Sequence, residues 1–166
     1  MGKPALSSTI QSFQAKDYPS IMAQLPIENP FLEWLGVTLT EWSPGYAEMR
    51  LPVTSKLGNR SKRVHGGTLC TLLDSVAGYC GLFAPPEEPL LQSVTLSLTT
   101  HFINSGEGTV LVAKGYIERA GRSIYFSRGE VWLDNTLLLA TALGSFKYLR
   151  TRDTNRPTRL GGETRD

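Results

Sequence analysis

The sequence predicts an α+β domain in which one long helix packs against an antiparallel sheet. Helical periodicity occurs in one extended segment, residues 66–83, whereas apolar and polar residues alternate in six other segments. Two of these strand-like segments precede the helix and four follow it, and short turns join them. One helix and six strands fit two layers, with the helix covering one face of the sheet.

The segments before the long helix are a short helix and a hairpin. Asn29-Pro30 opens a helical turn that ends at Gly36. Residues 37–42 and 46–51 then alternate as two strands, and a Pro-Gly turn joins them.

The long helix is predicted from its apolar face and from the residues that end it. Its apolar residues recur at helical spacing: Leu69, Leu72, Leu73, Val76, Cys80 and Phe83. Pro85-Pro86 cannot continue a helix, so we expect the helix to extend to about residue 83.

Four strands are predicted after the helix. They cover residues 90–103, 109–118, 122–133 and 136–148, with turn residues between them. Strict alternation in the first of them places Val94, Leu96, Leu98 and Phe102 on one face and Thr95, Ser97, Thr99 and His101 on the other.

The 166 residues are enough for a single domain, and their charge is unevenly placed. The formal net charge of +2 comes from residues 150–166, because residues 1–149 contain twelve basic and twelve acidic groups. Because residues 1–149 have no net charge, the sequence argues against a nucleic-acid-binding protein. We therefore expect an N-terminal arm over residues 1–27, one domain over 28–149 and a disordered tail over 150–166.

Neither a secretory signal nor a membrane-spanning segment is predicted. The two cysteines, Cys70 and Cys80, would lie about 15 Å apart on the helix, too far for a disulfide. A cytoplasmic location is the simplest expectation.

The helix opens with His65-Gly66-Gly67, and its first amides have no partners within the helix. They could stabilise a developing negative charge, with help from the helix dipole. Asp74 lies eight residues further on, about 12 Å along the axis, so one chain cannot bring both groups to the same atom. If both act together, two subunits must pair with antiparallel helices, and we expect a two-fold dimer with shared sites.

Structural roles remain open for each of these residues. The His-Gly-Gly sequence could serve only as a turn and a cap, and Asp74 could be a solvated carboxylate. Two histidines and no Cys-x-x-Cys pair argue against a metal site, and the glycine-rich nucleotide-binding motifs are absent.

Asn59, His65-Gly66-Gly67 and Asp74 together resemble the site of the hotdog-fold acyl-CoA thioesterases, specifically the phenylacetate-pathway group. The spacings of six and nine residues fit that family, as does the order of two strands, a helix and four strands. The resemblance implies a curved antiparallel sheet of about six strands wrapped around one central helix. It also implies a homodimer, often paired again into a tetramer, and a reaction that needs no cofactor.

The resemblance also implies roles for the residues. The Gly66 amide would polarise the thioester carbonyl, and Asp74 of the other subunit would act as base or nucleophile. Asn59 would hold the carbonyl or the water, and Thr95 is the best match for a hydroxyl that assists the acid. His65 would be a positioning residue, with Gly67 beside the bound substrate.

One departure from the family is Lys62, which stands where related sequences usually have Gly. We therefore expect the loop around it to be less tightly turned, which would change the aim of the Asn59 side chain.

Coenzyme A carries phosphates, for which this sequence offers two basic groups of residues: Arg60, Lys62 and Arg63, and Arg119 and Arg122. Both could equally be solvated surface charges. The alternative functions are an acyl-CoA-binding regulatory protein without catalysis and an enoyl-thioester hydratase or dehydratase. The acyl group could contact residues that could also be simple core: Tyr79, Leu82, Phe83 and Phe102.

Overall fold

A computed structural model describes residues 29–84 and 91–149 of the chain. The expected N-terminal arm, the expected tail and the Pro85-Pro86 helix stop lie outside these residues. The elements are α1 (Pro30–Leu35), β1 (Thr38–Ser43), β2 (Tyr46–Pro52), a 3-10 turn (Ser55–Leu57), α2 (Gly66–Tyr79), β3 (Gln92–Phe102), β4 (Val110–Ala120), β5 (Ile124–Leu133) and β6 (Leu137–Leu149).

The six strands form one antiparallel sheet in the order β1-β2-β4-β5-β6-β3. α2 contacts five of the strands and covers one face of the sheet, which confirms the predicted α+β architecture. Because β3 follows the helix and pairs with β6, β1 and β3 form the two edges of the sheet.

Two glycines let α2 lie close to the sheet. Gly115 on β4 and Gly129 on β5 are direct partners across the ladder. A Cβ on Gly115 would overlap the carbonyl oxygen of Val76, and one on Gly129 would press against Leu73. Any larger residue at Gly115 would therefore push the helix away from the sheet.

The end of α2 differs from the prediction. The helix ends at Tyr79 instead of near residue 83, because the amides of Gly81 and Leu82 bond carbonyls three residues back instead of four. The Tyr125 ring lies where a side chain at Gly81 would be, so a residue with a side chain does not fit at this point.

Side chains from three strands bind carbonyls at the C-terminal end of α2. The bonds are from Ser127 to Ala77 (2.8 Å), Tyr125 to Gly78 (2.7 Å), Trp42 to Tyr79 (2.9 Å) and Tyr148 to Gly81 (3.3 Å). Burial raises the pKa values of Tyr125 and Tyr148, and it raises the pKa of the Cys80 thiol to about 12. These groups stay protonated at neutral pH and act as donors.

The strict alternation predicted for β3 is wrong. A β-bulge lies between Thr95 and Ser97, so Leu96 has no direct partner on β6. The extra residue reverses the alternation, and Thr95 lies on the same helix-facing side as Leu98 and Phe102. Thr95 and Phe102, expected on opposite faces, therefore share one.

Candidate active site

His65 organises the first turn of α2. Its side chain caps the helix, because Nδ1 accepts a hydrogen bond from the Gly67 amide (2.9 Å). Its carbonyl accepts from Thr68 (3.0 Å) and Leu69 (3.3 Å). Within residues 29–84 and 91–149, the Gly66 amide is left without a partner. The structure thus leaves one free donor at the positive end of the helix dipole.

Of the two glycines of the motif, Gly67 is the one that close packing at this turn requires. A Cβ on Gly67 would lie 3.0 Å from His65 Nδ1, so a side chain there would disturb the cap. A Cβ on Gly66 would meet the Phe102 ring at 3.4 Å. The backbone of Gly66 is therefore flanked by an aromatic ring from the end of β3.

Asp74 lies in the middle of α2, on the side facing the β3 edge. Its Oδ1 accepts a hydrogen bond of 2.8 Å from Thr95 Oγ1, and the carboxylate is partly exposed. Of the described side chains, only Thr95 hydrogen-bonds this carboxylate, which leaves Oδ2 available for a proton or a carbonyl carbon. The residues predicted as acid and assisting hydroxyl are thus in contact.

The loop before α2 is tightly turned, contrary to the expectation drawn from Lys62. Lys62 adopts a left-handed conformation (φ 60°), which glycine would adopt without strain. The backbone amide of Asn59 donates to the Arg63 carbonyl (2.7 Å) and closes the loop. The side-chain Oδ1 of Asn59 accepts from the backbone amides of Ser61 (2.8 Å) and Arg63 (3.1 Å).

These bonds also fix the orientation of the Asn59 side chain. Because Oδ1 is used within the loop, the Nδ2 group remains as a donor without a partner among the described residues. A donor is what a substrate carbonyl requires. Of the roles expected for Asn59, hydrogen-bond donation from Nδ2 to a substrate carbonyl therefore fits the structure best.

The two basic groups of residues lie at opposite ends of α2 in one subunit. Arg60, Lys62 and Arg63 are exposed in the loop before the helix, where Arg63 reaches the Ser105 carbonyl (3.4 Å). Arg119 and Arg122 are exposed at the β4–β5 turn, next to Tyr125, which binds the C-terminal end of the helix. A single subunit does not bring them together.

Most of the residues considered for the acyl group lie away from Asp74 and Gly66. Tyr79 and Phe83 pack against Trp42 on the β1 edge, with ring centroids 5.9 and 5.7 Å away. Leu82 packs on the buried cluster that contains Tyr125. Of the four, Phe102 lies beside Gly66, and the unforeseen bulge in β3 brings Thr95 to the same helix-facing side as Phe102.

Other kinds of site find little support in the described part of the chain. No group of three or more His, Cys, Asp and Glu side chains there could hold a metal ion. Cys70 and Cys80 are both free thiols. None of the described helices has the length and apolar character needed to cross a membrane.

Comparison with known proteins gives consistent relationships. Residues 62–140 match the family model of the thioesterase superfamily. A candidate esterase of Halobacterium salinarum is 27% identical over 68% of this chain and 76% of its own.

Among solved structures, a Bacillus halodurans protein crystallised with CoA is 29% identical, with a TM-score of 0.65 over 77% of this chain and 83% of its own. A conserved Pseudomonas aeruginosa protein is 27% identical, with a TM-score of 0.65 over 75% and 100%. The Escherichia coli PaaI protein, at 20% identity, shares the fold, with a TM-score of 0.65 over 74% and 86%. Residues 62–140 are thus similar to the thioesterase superfamily, and the chain has the hotdog fold.

Proposed function

We propose that this protein is an acyl-CoA thioesterase of the phenylacetate-pathway group, which hydrolyses an acyl-CoA to the free acid and CoA. The observation that carries the proposal is the pairing of a free helix-start amide at Gly66 with a carboxylate, Asp74, held by the Thr95 hydroxyl. The first group suits an oxyanion, and the second suits a base or nucleophile.

A dimer is required for these groups to meet, and the β3 edge supports one. This edge strand has eleven residues, and no side chain in it is Asp, Glu, Lys or Arg. Several of its apolar side chains are exposed, including Val94, Leu96 and Phe102. A long, uncharged, apolar edge is a template for pairing with another strand.

A two-fold pairing of β3 strands also brings the right residues together. If the pairing is centred on Thr99, Leu98 lies opposite Thr100 of the partner subunit, and the bulge at Leu96 brings Thr95 opposite Phe102 of the partner subunit. In each subunit Thr95 bonds Asp74, and the Phe102 ring lies beside Gly66, 3.4 Å from the position that a Cβ there would take. Asp74 of one subunit then faces Gly66 of the partner subunit across the new ladder.

The reaction follows from these positions. Water, deprotonated by Asp74, forms a bond to the thioester carbon, and the carbonyl oxygen becomes an oxyanion that accepts from the Gly66 amide. The carbon–sulfur bond then breaks, CoA leaves as the thiolate, and the proton held by Asp74 returns to sulfur. Thr95 orients the carboxylate, and Asn59 Nδ2 supplies a second donor to the carbonyl.

In the covalent alternative, Asp74 attacks the carbon itself and water hydrolyses the resulting anhydride. A single turnover in water enriched in oxygen-18 detects the covalent route when water opens the anhydride at the Asp74 carbon, because the label then enters the Asp74 carboxylate. The general-base route puts the label in the product acid alone.

The paired arrangement gives the basic groups a shared function. With antiparallel helices, the loop containing Arg60, Lys62 and Arg63 of one subunit lies toward the same end of the site as Arg119 and Arg122 of the other. We propose that they bind the CoA phosphates, and the CoA in the Bacillus halodurans neighbour supports this substrate class.

Lys62→Glu or Arg122→Glu should raise KM for acyl-CoA more than for a short thioester without the nucleotide. Equal effects on both substrates would remove this role.

The proposal is tested by assaying a series of acyl-CoAs with the wild type, Asp74→Asn, Asp74→Ala and, as a matched control, Glu107→Gln, which changes an exposed acid in the β3–β4 loop. We expect both Asp74 variants to lose about 10²- to 10⁴-fold in kcat while the dimer persists, and the control to match the wild type. Near-normal turnover by the Asp74 variants would contradict the proposal. Tight binding without turnover by the wild type would indicate a regulatory protein, and hydration of enoyl-CoA a hydratase.

A further inference from the structure

Phe102 is an exposed aromatic residue placed directly at the proposed site. It is 58% exposed although it lies on the helix-facing side of β3. Its ring lies beside Gly66, 3.4 Å from the position that a Cβ there would take, and the Gly66 amide has no partner among the described residues. An apolar ring beside a hydrogen-bond donor suits a ligand that carries an apolar group next to a carbonyl.

A thioester has this character at its acyl side. The carbonyl oxygen would reach the Gly66 amide while the apolar acyl group packs on the ring. The CoA side of the substrate is a chain of amides that must extend toward the basic residues, so it matches the ring less well. Ile103, which follows Phe102, is also half exposed and extends the apolar surface.

We propose that Phe102 is a specificity-determining residue, and that its ring is the wall on which the acyl group packs, favouring aryl groups next to the carbonyl. This inference rests on the proposed thioesterase function. Aromatic pairs contribute about 0.5–1.5 kcal/mol beyond the area that they bury, which corresponds to a preference of about 2- to 12-fold.

The test compares two substrates of nearly the same size, phenylacetyl-CoA and cyclohexylacetyl-CoA, with hexanoyl-CoA as the general substrate. Phe102→Leu keeps apolar volume but removes the ring, so we expect the ratio of kcat/KM for the aryl and cyclohexyl substrates to fall about 2- to 12-fold. Phe126→Leu is the matched control. Phe126 is 49% exposed on β5, but it pairs with Ser145, whose hydroxyl bonds Ser97 on the face of the sheet away from the helix. Its substitution should leave the ratio unchanged.

Three results would overturn the inference. The first is an unchanged ratio in Phe102→Leu, and the second is an equal rise in KM for all three substrates, which would place the ring against the CoA arm. The third is a dissociated dimer in size-exclusion chromatography, which would assign Phe102 to the subunit interface alone. Failure of the proposed function is seen separately, because the wild type would then hydrolyse none of the three substrates and the inference would fall with it.

Discussion

The two ends of α2 differ in what happens to the backbone groups that lack partners within the helix, which are carbonyls at the C-terminal end and amides at the N-terminal end. At the C-terminal end, side chains from β1, β5 and β6 bind four carbonyls, and the donors are buried or partly buried. At the N-terminal end, one residue, His65, binds three of the first four amides and leaves Gly66 free. The first end ties the helix to the sheet, whereas the second leaves one donor free, and the proposed reaction uses that donor. Changes at the C-terminal end should therefore reduce stability, and changes at the N-terminal end should reduce the rate.

Gly66→Pro should give the largest effect of this kind. Proline removes the free N–H, and it fits the first position of a helix. His65 already has the extended backbone (φ −69°, ψ 139°) that a residue before proline adopts. We expect kcat to fall about 10²- to 10³-fold, as for loss of one oxyanion donor, with an unchanged circular dichroism spectrum. Gly66→Ala, which keeps the N–H, is the control and should lose at least about tenfold less. Equal rates for the two variants would show that the amide is not used.

Tyr125→Phe weakens the C-terminal end of α2. It removes the buried donor to the Gly78 carbonyl and the partly buried partner of Ser93. We expect a loss of about 1–3 kcal/mol in the free energy of unfolding, measured in urea, with kcat per folded subunit unchanged. Tyr46→Phe removes a half-buried hydroxyl that bonds Glu48 on the sheet, and it should cost less. A rate loss in Tyr125→Phe without a stability loss would reverse the assignment of the two ends.

Alkaline pH should weaken the same C-terminal end. Burial raises the pKa of Cys80 from 9.0 to about 12 and also raises that of Tyr125. The folded state then holds protons that the unfolded state releases, so stability is full below pH 9 and falls as the pH rises further. We expect the free energy of unfolding to fall by up to about 1.4 kcal/mol per pH unit for each group once its unfolded form has titrated. Cys80→Ala should flatten the curve, and the same slope in that variant would contradict this cause.

His65 should show the smallest effect. Because its Nδ1 accepts from the Gly67 amide, His65→Ala should lose about 1 kcal/mol of stability and lower kcat with little change in KM. Asparagine is a good helix cap, so His65→Asn should recover both values. If His65→Asn were as slow as His65→Ala, the imidazole would have a role in the reaction beyond capping.

The sequence predicts much of this molecule because periodicity and spacing are local. The order of elements, the apolar face of α2 and the Asn59, Gly66 and Asp74 spacing are all visible along the chain, and the contact of Asp74 with the predicted Thr95 is present. Asn29 also caps α1, and the residue at its end, Gly36, has a positive φ.

The remaining features depend on contacts distant in sequence. No local pattern marks the bulge at Leu96, which turns Thr95 and Phe102 to the same face. The early end of α2 arises from donors on three strands and from the Tyr125 ring beside Gly81. The tight loop at Lys62 also differs from the expectation. Glycine in related sequences marks a position with positive φ, but Lys62 adopts the same backbone conformation.

Mixing two inactive variants tests most directly whether Gly66 and Asp74 act across subunits. In a heterodimer of Gly66→Pro and Asp74→Asn subunits, one of the two sites combines the intact Gly66 with the intact Asp74. After complete subunit exchange, an equal mixture contains half heterodimers, so we expect about one quarter of wild-type kcat per subunit to return. If exchange is verified by mass spectrometry and the mixture stays as inactive as its parents, the two groups do not form a shared site.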